Sequence, residues 1–298
     1  MAQPDQLDLF DDNETPTLKV APFKTQLLKW IGSKQRYGHE IGGYFPAEYR
    51  TYFEPFLGSG GVLSTIAPHT ALGSDGFKPL AEIFITLRSN PEQLVEWYRD
   101  RWNRFHDAPT RIEAYEEIKA SYNANPNPAD LTFLSRSCYG GVVRFRLDGY
   151  MSTPLGVHNP ITPESFEQRV AEWHRRTAGA RFAHLDFREA MAEAAAGDIV
   201  YCDPPYVDSQ AILYGAQRFS LDDLFGAIGA AKERGAKVAL SIDGTKKTGK
   251  KQVPIAFPEG LFEREATVNC GFCHLRRFQL GGETMENEVV TDRLLLTW

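Results

Sequence analysis

Two rhythms of apolar residues alternate along this chain. Short, nearly continuous apolar stretches read as buried strands: Thr51-Tyr52-Phe53-Glu54, Ala71-Leu72-Gly73-Ser74-Asp75, the run from Ala194 to Tyr201, residues 237–243 and residues 288–296. Longer stretches carry the helical period. Asn90 is placed to cap a helix that starts at Pro91 and shows Leu94, Trp97, Tyr98, Trp102 and Phe105 on one face. Helices are also expected over residues 62–66, 111–122 and 221–234, and Asn123-Ala124-Asn125-Pro126-Asn127-Pro128 breaks the second of these. Strands interleaved with helices predict an α/β fold.

Four segments follow from the same pattern. Residues 1–22 are polar, acidic and proline-containing, which predicts a disordered tail. Residues 23–84 and 166–298 are expected to form the two halves of one large domain, and residues 85–165 a mainly helical insertion. Within the insertion, Asp148-Gly149 signals a hairpin turn between residues 142 and 153. On its first arm Arg144 and Arg146 alternate with Val143, Phe145 and Leu147, so the two guanidiniums share a face.

Composition narrows the class. A chain of 298 residues can bury a sizeable core. It contains no apolar run near the ~20 residues of a membrane span, and its N-terminus is acidic, unlike a signal peptide. Four cysteines without framework spacing suggest a reducing cytoplasm. Of the net charge of −6, most sits in residues 1–20, with five acids and one base, so the body is nearly neutral and free to carry a basic face.

Two stretches carry chemistry. Phe56-Leu57-Gly58-Ser59-Gly60 follows the first strand as a glycine-rich turn into a helix, where backbone can touch a ligand and helix N–H groups are free. Asp75, ending the next strand, stands where a crevice of this type takes ribose hydroxyls. Tyr201-Cys202-Asp203-Pro204-Pro205-Tyr206 ends a later strand with a carboxylate, a proline carbonyl and an aromatic face. Two acceptors and a stacking ring suit an exocyclic amine on a planar base. By drawing its hydrogens out of plane they favour the tetrahedral nitrogen that attacks a methyl group.

With Lys29-Trp30-Ile31-Gly32-Ser33-Lys34 ahead of both stretches, the chain resembles the D12-class, Dam-like adenine-N6 DNA methyltransferases over residues 24–298. The resemblance implies a Rossmann-like doubly wound sheet with an inserted target-recognition region, a flipped adenine and S-adenosylmethionine as cofactor. It implies Trp30, Lys34, Phe56, Gly58, Gly60, Asp75 and Asp203 around that cofactor. Asp203, Pro204, Pro205 and Tyr206 would form the catalytic motif, with Tyr206 stacked on the adenine. One departure from the family is Gly76-Phe77-Lys78-Pro79, where Ile-Asn-Pro often follows the acidic strand end.

In that setting the hairpin arginines read as DNA contacts, together with Arg136 at the start of the segment Ser135 to Gly141. Tyr150 and Met151 are candidates to fill the space of an extruded base. Lys246, Lys247 and Lys250 lie on a glycine-flanked loop suited to phosphates. No metal is expected, because Cys270-Gly271-Phe272-Cys273-His274 lacks a second ligand pair. In the tail, Gln6-Leu7-Asp8-Leu9-Phe10 resembles the peptide by which bacterial proteins dock on the DNA sliding clamp, with Leu9 and Phe10 as apolar anchors. The alternatives are an RNA adenine-N6 methyltransferase and a non-catalytic clamp- or DNA-binding protein.

Overall fold

The computed structural model describes residues 17–205, 219–243, 255–272 and 289–298 of the chain. In chain order α1 (Gly38–Gly42) precedes β1 (Tyr52–Glu54), α2 (Gly61–Ile66), β2 (Ala71–Asp75) and α3 (Lys78–Ser89). Three helices follow, α4 (Pro91–Asp107), α5 (Arg111–Ala124) and α6 (Pro128–Ser137). Next come α7 (Pro163–Arg176), β3 (Ala180–His184), α8 (Phe187–Ala192) and β4 (Ile199–Cys202). The last elements are α9 (Leu221–Glu233), β5 (Lys237–Asp243), β6 (Arg264–Phe272) and β7 (Val289–Leu296).

The strands form one sheet in the order β3-β2-β1-β4-β5-β7-β6. β3, β2, β1, β4 and β5 are parallel, and β7 runs antiparallel between β5 and β6. The chain winds outward from β1 to β3, then returns to the other side at β4. Between β1 and β4 lies the switch point at which doubly wound sheets leave a crevice at their carboxyl ends. Pairing of Tyr52 with Ile199 and Phe53 with Val200 sets the two strand ends side by side.

Successive strand residues serve opposite faces, and each face has its own apolar cluster. Phe53, Val200, Cys202, Leu240 and Leu295 pack with α8 and α9 residues such as Met191 and Leu224. Tyr52, Ile199, Tyr201, Ala239 and Leu294 join the opposite cluster with Leu63, Phe84 and Trp173. Burial on both faces explains why these strands are nearly continuously apolar in sequence.

That second cluster extends without a break into the helical segment. Leu94, Tyr98 and Phe105 of α4, Tyr115 of α5 and Phe133 of α6 belong to it, as do Phe145 and Met151. The expected boundaries after residues 84 and 165 fall inside α3 and α7. The helical segment therefore shares the core of the sheet. Three of its limits are written in one local signal: Asn90, Asn127 and Thr162 accept from Gln93, Asp130 and Ser165 backbone N–H groups, each followed by proline. The Asn-Pro break after α5 is thus also the cap of α6, a helix that the apolar pattern left unpredicted. α1, α3, α7, α8, β3 and β6 were also unpredicted. No helix among the described residues is long and apolar enough to cross a membrane.

Candidate active site

β1 carries the chain to the switch point and ends in Glu54, after which Phe56 to Gly60 turn into α2. The turn depends on Gly60, whose φ of 65° is left-handed and which caps α2. A β-carbon there would lie 2.9 Å from Phe84 Cε1 and 3.3 Å from Trp173 Cζ3, so the turn closes only on glycine. Gly58, at φ 51°, donates its backbone N–H to Asp75 Oδ2 at 3.0 Å. The Phe77 N–H binds the other oxygen, Oδ1, at 2.9 Å. The carboxylate ending β2 thereby fixes the glycine turn that follows β1. Phe77, the departure noted above, stacks on Trp30 at 6.2 Å between ring centroids and meets Phe145 edge-on at 5.3 Å.

β4 delivers Asp203 to the same crevice. Its Oδ1 accepts from Lys34 Nζ at 2.9 Å, and the same ammonium lies 3.3 Å from Asp292 Oδ2. Trp30, Lys34, Phe56, Gly58, Asp203 and Pro204 line one cavity. Gly60 and Asp75 do not line it: Gly60 caps α2 behind the turn, and Asp75 holds the N–H of Gly58, which does line it. Phe56 is stacked on Phe187 at 5.1 Å and meets Phe219 edge-on at 5.9 Å, forming an aromatic wall.

Glu54 also lines this cavity and was not singled out in the sequence. It is 2% exposed, and Tyr52 donates a hydroxyl hydrogen to its Oε2 at 2.7 Å. Burial pushes its carboxyl up to about 8, against the Tyr52 bond, with the nearby Asp203 charge adding to the rise. Burial likewise raises Asp203, opposed by Lys34 and reinforced by Asp292. Carboxyl groups held reluctant to ionise favour a cationic occupant. The signal for Glu54 was its place as the last residue of an apolar strand before a glycine turn. Asp292 had no local signal.

Outside the cavity the expected residues divide. Arg144 and Arg146 are exposed while Val143 and Phe145 are buried, as the alternation predicted, but Leu147, the third apolar position of that arm, is exposed at the turn. The segment is a narrow hairpin closed by Arg146 N–H to Tyr150 O at 2.8 Å and Ser152 N–H to Arg144 O at 2.9 Å. Arg146 pairs with Asp148 at 3.0 Å, and Tyr150 is 41% exposed.

Met151 and Arg136 differ from expectation. Met151 bridges to Phe145 on the apolar side of the hairpin and is fully buried, so its side chain fills the core. Arg136, in the last turn of α6, is also buried and donates to the carbonyls of Gln26 and Leu27 at 3.1 and 2.8 Å. Trp173 and Gln35 hold the Thr25 carbonyl of the same segment at 2.7 and 2.8 Å. The arginine thus anchors the stretch leading to Trp30 and is not part of the exposed basic face. Tyr206, Lys246, Lys247, Lys250, Gln6, Leu7, Leu9 and Phe10 lie outside the described residues, as do Cys273 and His274. Among the described residues no group of three or more His, Cys, Asp or Glu could hold a metal ion.

A doubly wound sheet with a glycine turn after β1, an acid ending β2 and Asp-Pro-Pro at the switch-point end of β4 defines a Rossmann-like methyltransferase. Residues 30–253 match the family model of the D12 class N6 adenine-specific DNA methyltransferases, and the chain belongs to that family. It is 29% identical over 205 residues to a DNA adenine methylase of Serratia marcescens, covering 66% of this chain and 73% of the relative. A DNA adenine methylase of Vibrio cholerae is 30% identical over 234 residues, covering 74% and 82% respectively. The type II methyltransferase M1.LlaDCHI of Lactococcus lactis is 28% identical over 224 residues, covering 69% and 74%. The protein is therefore an enzyme that methylates adenine at N6 in DNA.

Proposed function

We propose that the switch-point cavity binds S-adenosylmethionine and that Asp203 and the Pro204 carbonyl receive the amino group of an adenine extruded from duplex DNA. The observation that carries this reading is the placement of Asp203 on Lys34, facing the glycine turn across the junction of β1 and β4. The donor set fits the cofactor. Gly58 offers backbone without a β-carbon, Asp75 holds that backbone in place at the strand end where the ribose hydroxyls would come, and Glu54 offers a buried acid for the cationic amino group.

When bound, the cofactor supplies an electrophilic sulfonium methyl group. The protein's part is orientation. Asp203 and the Pro204 carbonyl each accept one N–H, which keeps the amine lone pair on nitrogen rather than in the ring. Asp203 is also placed to hold the proton that nitrogen must lose, before passing it to water. Arg144, Arg146 and Tyr150 would meet the duplex along the exposed side of the hairpin, and Lys246, Lys247 and Lys250 would add phosphate contacts.

The test is tritiated methyl transfer to duplex DNA, single-stranded DNA and RNA by the wild type and Asp203→Ala. Duplex DNA should be the preferred substrate. The variant should lose at least ~10²-fold in turnover while binding DNA almost normally, as expected when one prepositioned acceptor is removed. Near-normal turnover in the variant overturns the mechanism, and preference for RNA overturns the substrate.

A clamp-docking role for Gln6-Leu7-Asp8-Leu9-Phe10 rests on the sequence pattern alone. A peptide of residues 1–15 should bind bacterial sliding clamp at about micromolar strength. Leu9→Ala with Phe10→Ala should abolish that binding, because apolar anchors carry most of such an energy. An intact peptide that stays unbound at high micromolar clamp removes the proposal.

A further inference from the structure

Lys34 faces two carboxylates, and only one of them belongs to the Asp-Pro-Pro motif. Its ammonium lies 2.9 Å from Asp203 Oδ1 and 3.3 Å from Asp292 Oδ2. All three groups are withdrawn from solvent, with side-chain exposures of 6% for Lys34, 18% for Asp203 and 8% for Asp292. Asp292 comes from β7, the antiparallel strand beside β5, in register with Val268 of β6. It has the parity of Leu294 and Leu296, so it emerges on the sheet face that also holds Tyr201, where it meets Lys34.

We infer that Asp292 is a positioning residue for methyl transfer: by sharing Lys34 with Asp203, it keeps the Asp203 carboxylate available to the target amine. The inference rests on Asp203 being that acceptor. One ammonium between two carboxylates leaves the trio with a net negative charge. Were Asp292 neutral, Lys34 would bind Asp203 as a closed pair, and an N–H of adenine would have to compete with an ammonium for the same oxygens. With Asp292 present, Lys34 has a second partner to move toward as the amine arrives. Among the described residues, Glu54 from β1 and Tyr201 and Cys202 from its own strand also act on Asp203, and Lys34 reaches the Gly32 carbonyl at 3.5 Å as well.

The experiment measures kcat against pH for tritiated methyl transfer to unmethylated genomic DNA by the wild type, Asp292→Asn, Asp292→Ser, Asp292→Glu and Asp203→Ala. Removing the second carboxylate should lower plateau kcat by about tenfold, with KM for DNA and cofactor within about twofold. It should also move the acid limb of kcat to lower pH, because a like charge beside Asp203 is gone. Simple loosening of the fold would lower activity without that shift. Asp292→Glu should restore both features in part. Asn and Ser remove the same charge with different shapes, so either folded variant decides. A neutral variant with wild-type kcat and an unmoved acid limb, alongside an inactive Asp203→Ala, overturns the role of Asp292. An active Asp203→Ala instead overturns the acceptor reading beneath it.

Discussion

The hydroxyl of Tyr52 donates to Oε2 of Glu54 at 2.7 Å, two residues along the same strand and on the same face of the sheet. Both are buried, and the Tyr52 hydroxyl and a Leu63 backbone N–H reach this carboxyl in the lining of the cavity. Burial outweighs those bonds and raises Glu54 from 4.5 to about 8. Asp75 and Asp203 are raised as well, again chiefly by burial.

These shifts make folding pH-dependent with a definite sign. Between about 4.5 and 8 the folded protein holds a proton on Glu54 that the unfolded chain has released, so stability is full at the acid end and falls as pH rises. The depressed acids Asp186, Asp198 and Glu265 act in the opposite sense, but their contribution is complete above the ordinary carboxylate range. Thermal melting should therefore decline from pH 5 to pH 8, and Glu54→Gln should flatten that slope. Added S-adenosylmethionine should raise the melting temperature more at pH 8 than at pH 6, because a cation favours the ionised acid. A Glu54→Gln slope as steep as the wild type's would remove Glu54 as the source.

The glycine turn allows a controlled comparison. Gly60 and Gly149 both have left-handed φ, 65° and 82°. A β-carbon at Gly60 would press on Phe84 and Trp173, whereas at Gly149 nothing lies within 4 Å. Gly149→Ala should cost about 1 kcal/mol for backbone strain alone. Gly60→Ala should cost about 2–4 kcal/mol, since overpacking adds to the strain. Urea denaturation of the two variants measures the gap, and equal losses would mean the aromatic contacts yield freely.

What the sequence disclosed was local. Phe56 to Gly60 and Asp203 to Pro205 are contiguous strings at the ends of apolar strands, and period and turn chemistry locate such strings. Lys34 and Asp203 are 169 residues apart, and resemblance to a family put both at the cofactor, but nothing local told that they touch. Asp292 reaches the site only because β7 inserts antiparallel between β5 and β6, a pairing that leaves no mark on the residues nearby. Arg136 was misread for a related reason. It opens a run with three arginines and no acid up to Arg146, which looks like one basic surface, yet α6 carries it inward while the hairpin carries the others outward.

That division among the arginines separates fold from recognition. Arg136 spends its guanidinium on the Gln26 and Leu27 carbonyls, and burial lowers its pKa to about 10. Arg136→Ala should destabilise the protein by about 2–4 kcal/mol, through lost packing and a stranded Leu27 carbonyl, whereas the Gln26 carbonyl keeps Arg169 at 2.9 Å. Because those carbonyls precede Trp30, cofactor affinity should fall too, while the choice among DNA sequences should not change. Arg144 and Arg146 are exposed, so their alanine variants should melt within about 0.5 kcal/mol of the wild type. Their effect belongs to DNA. An arginine that reads a base carries about 1–3 kcal/mol of discrimination, whereas one on phosphate weakens all sequences alike and flattens the salt dependence. Competition binding over a salt series, paired with sequencing of methylated sites, distinguishes the two. At least one of the pair should relax site choice. If both leave affinity, salt slope and methylated sites unchanged, the hairpin does not read DNA.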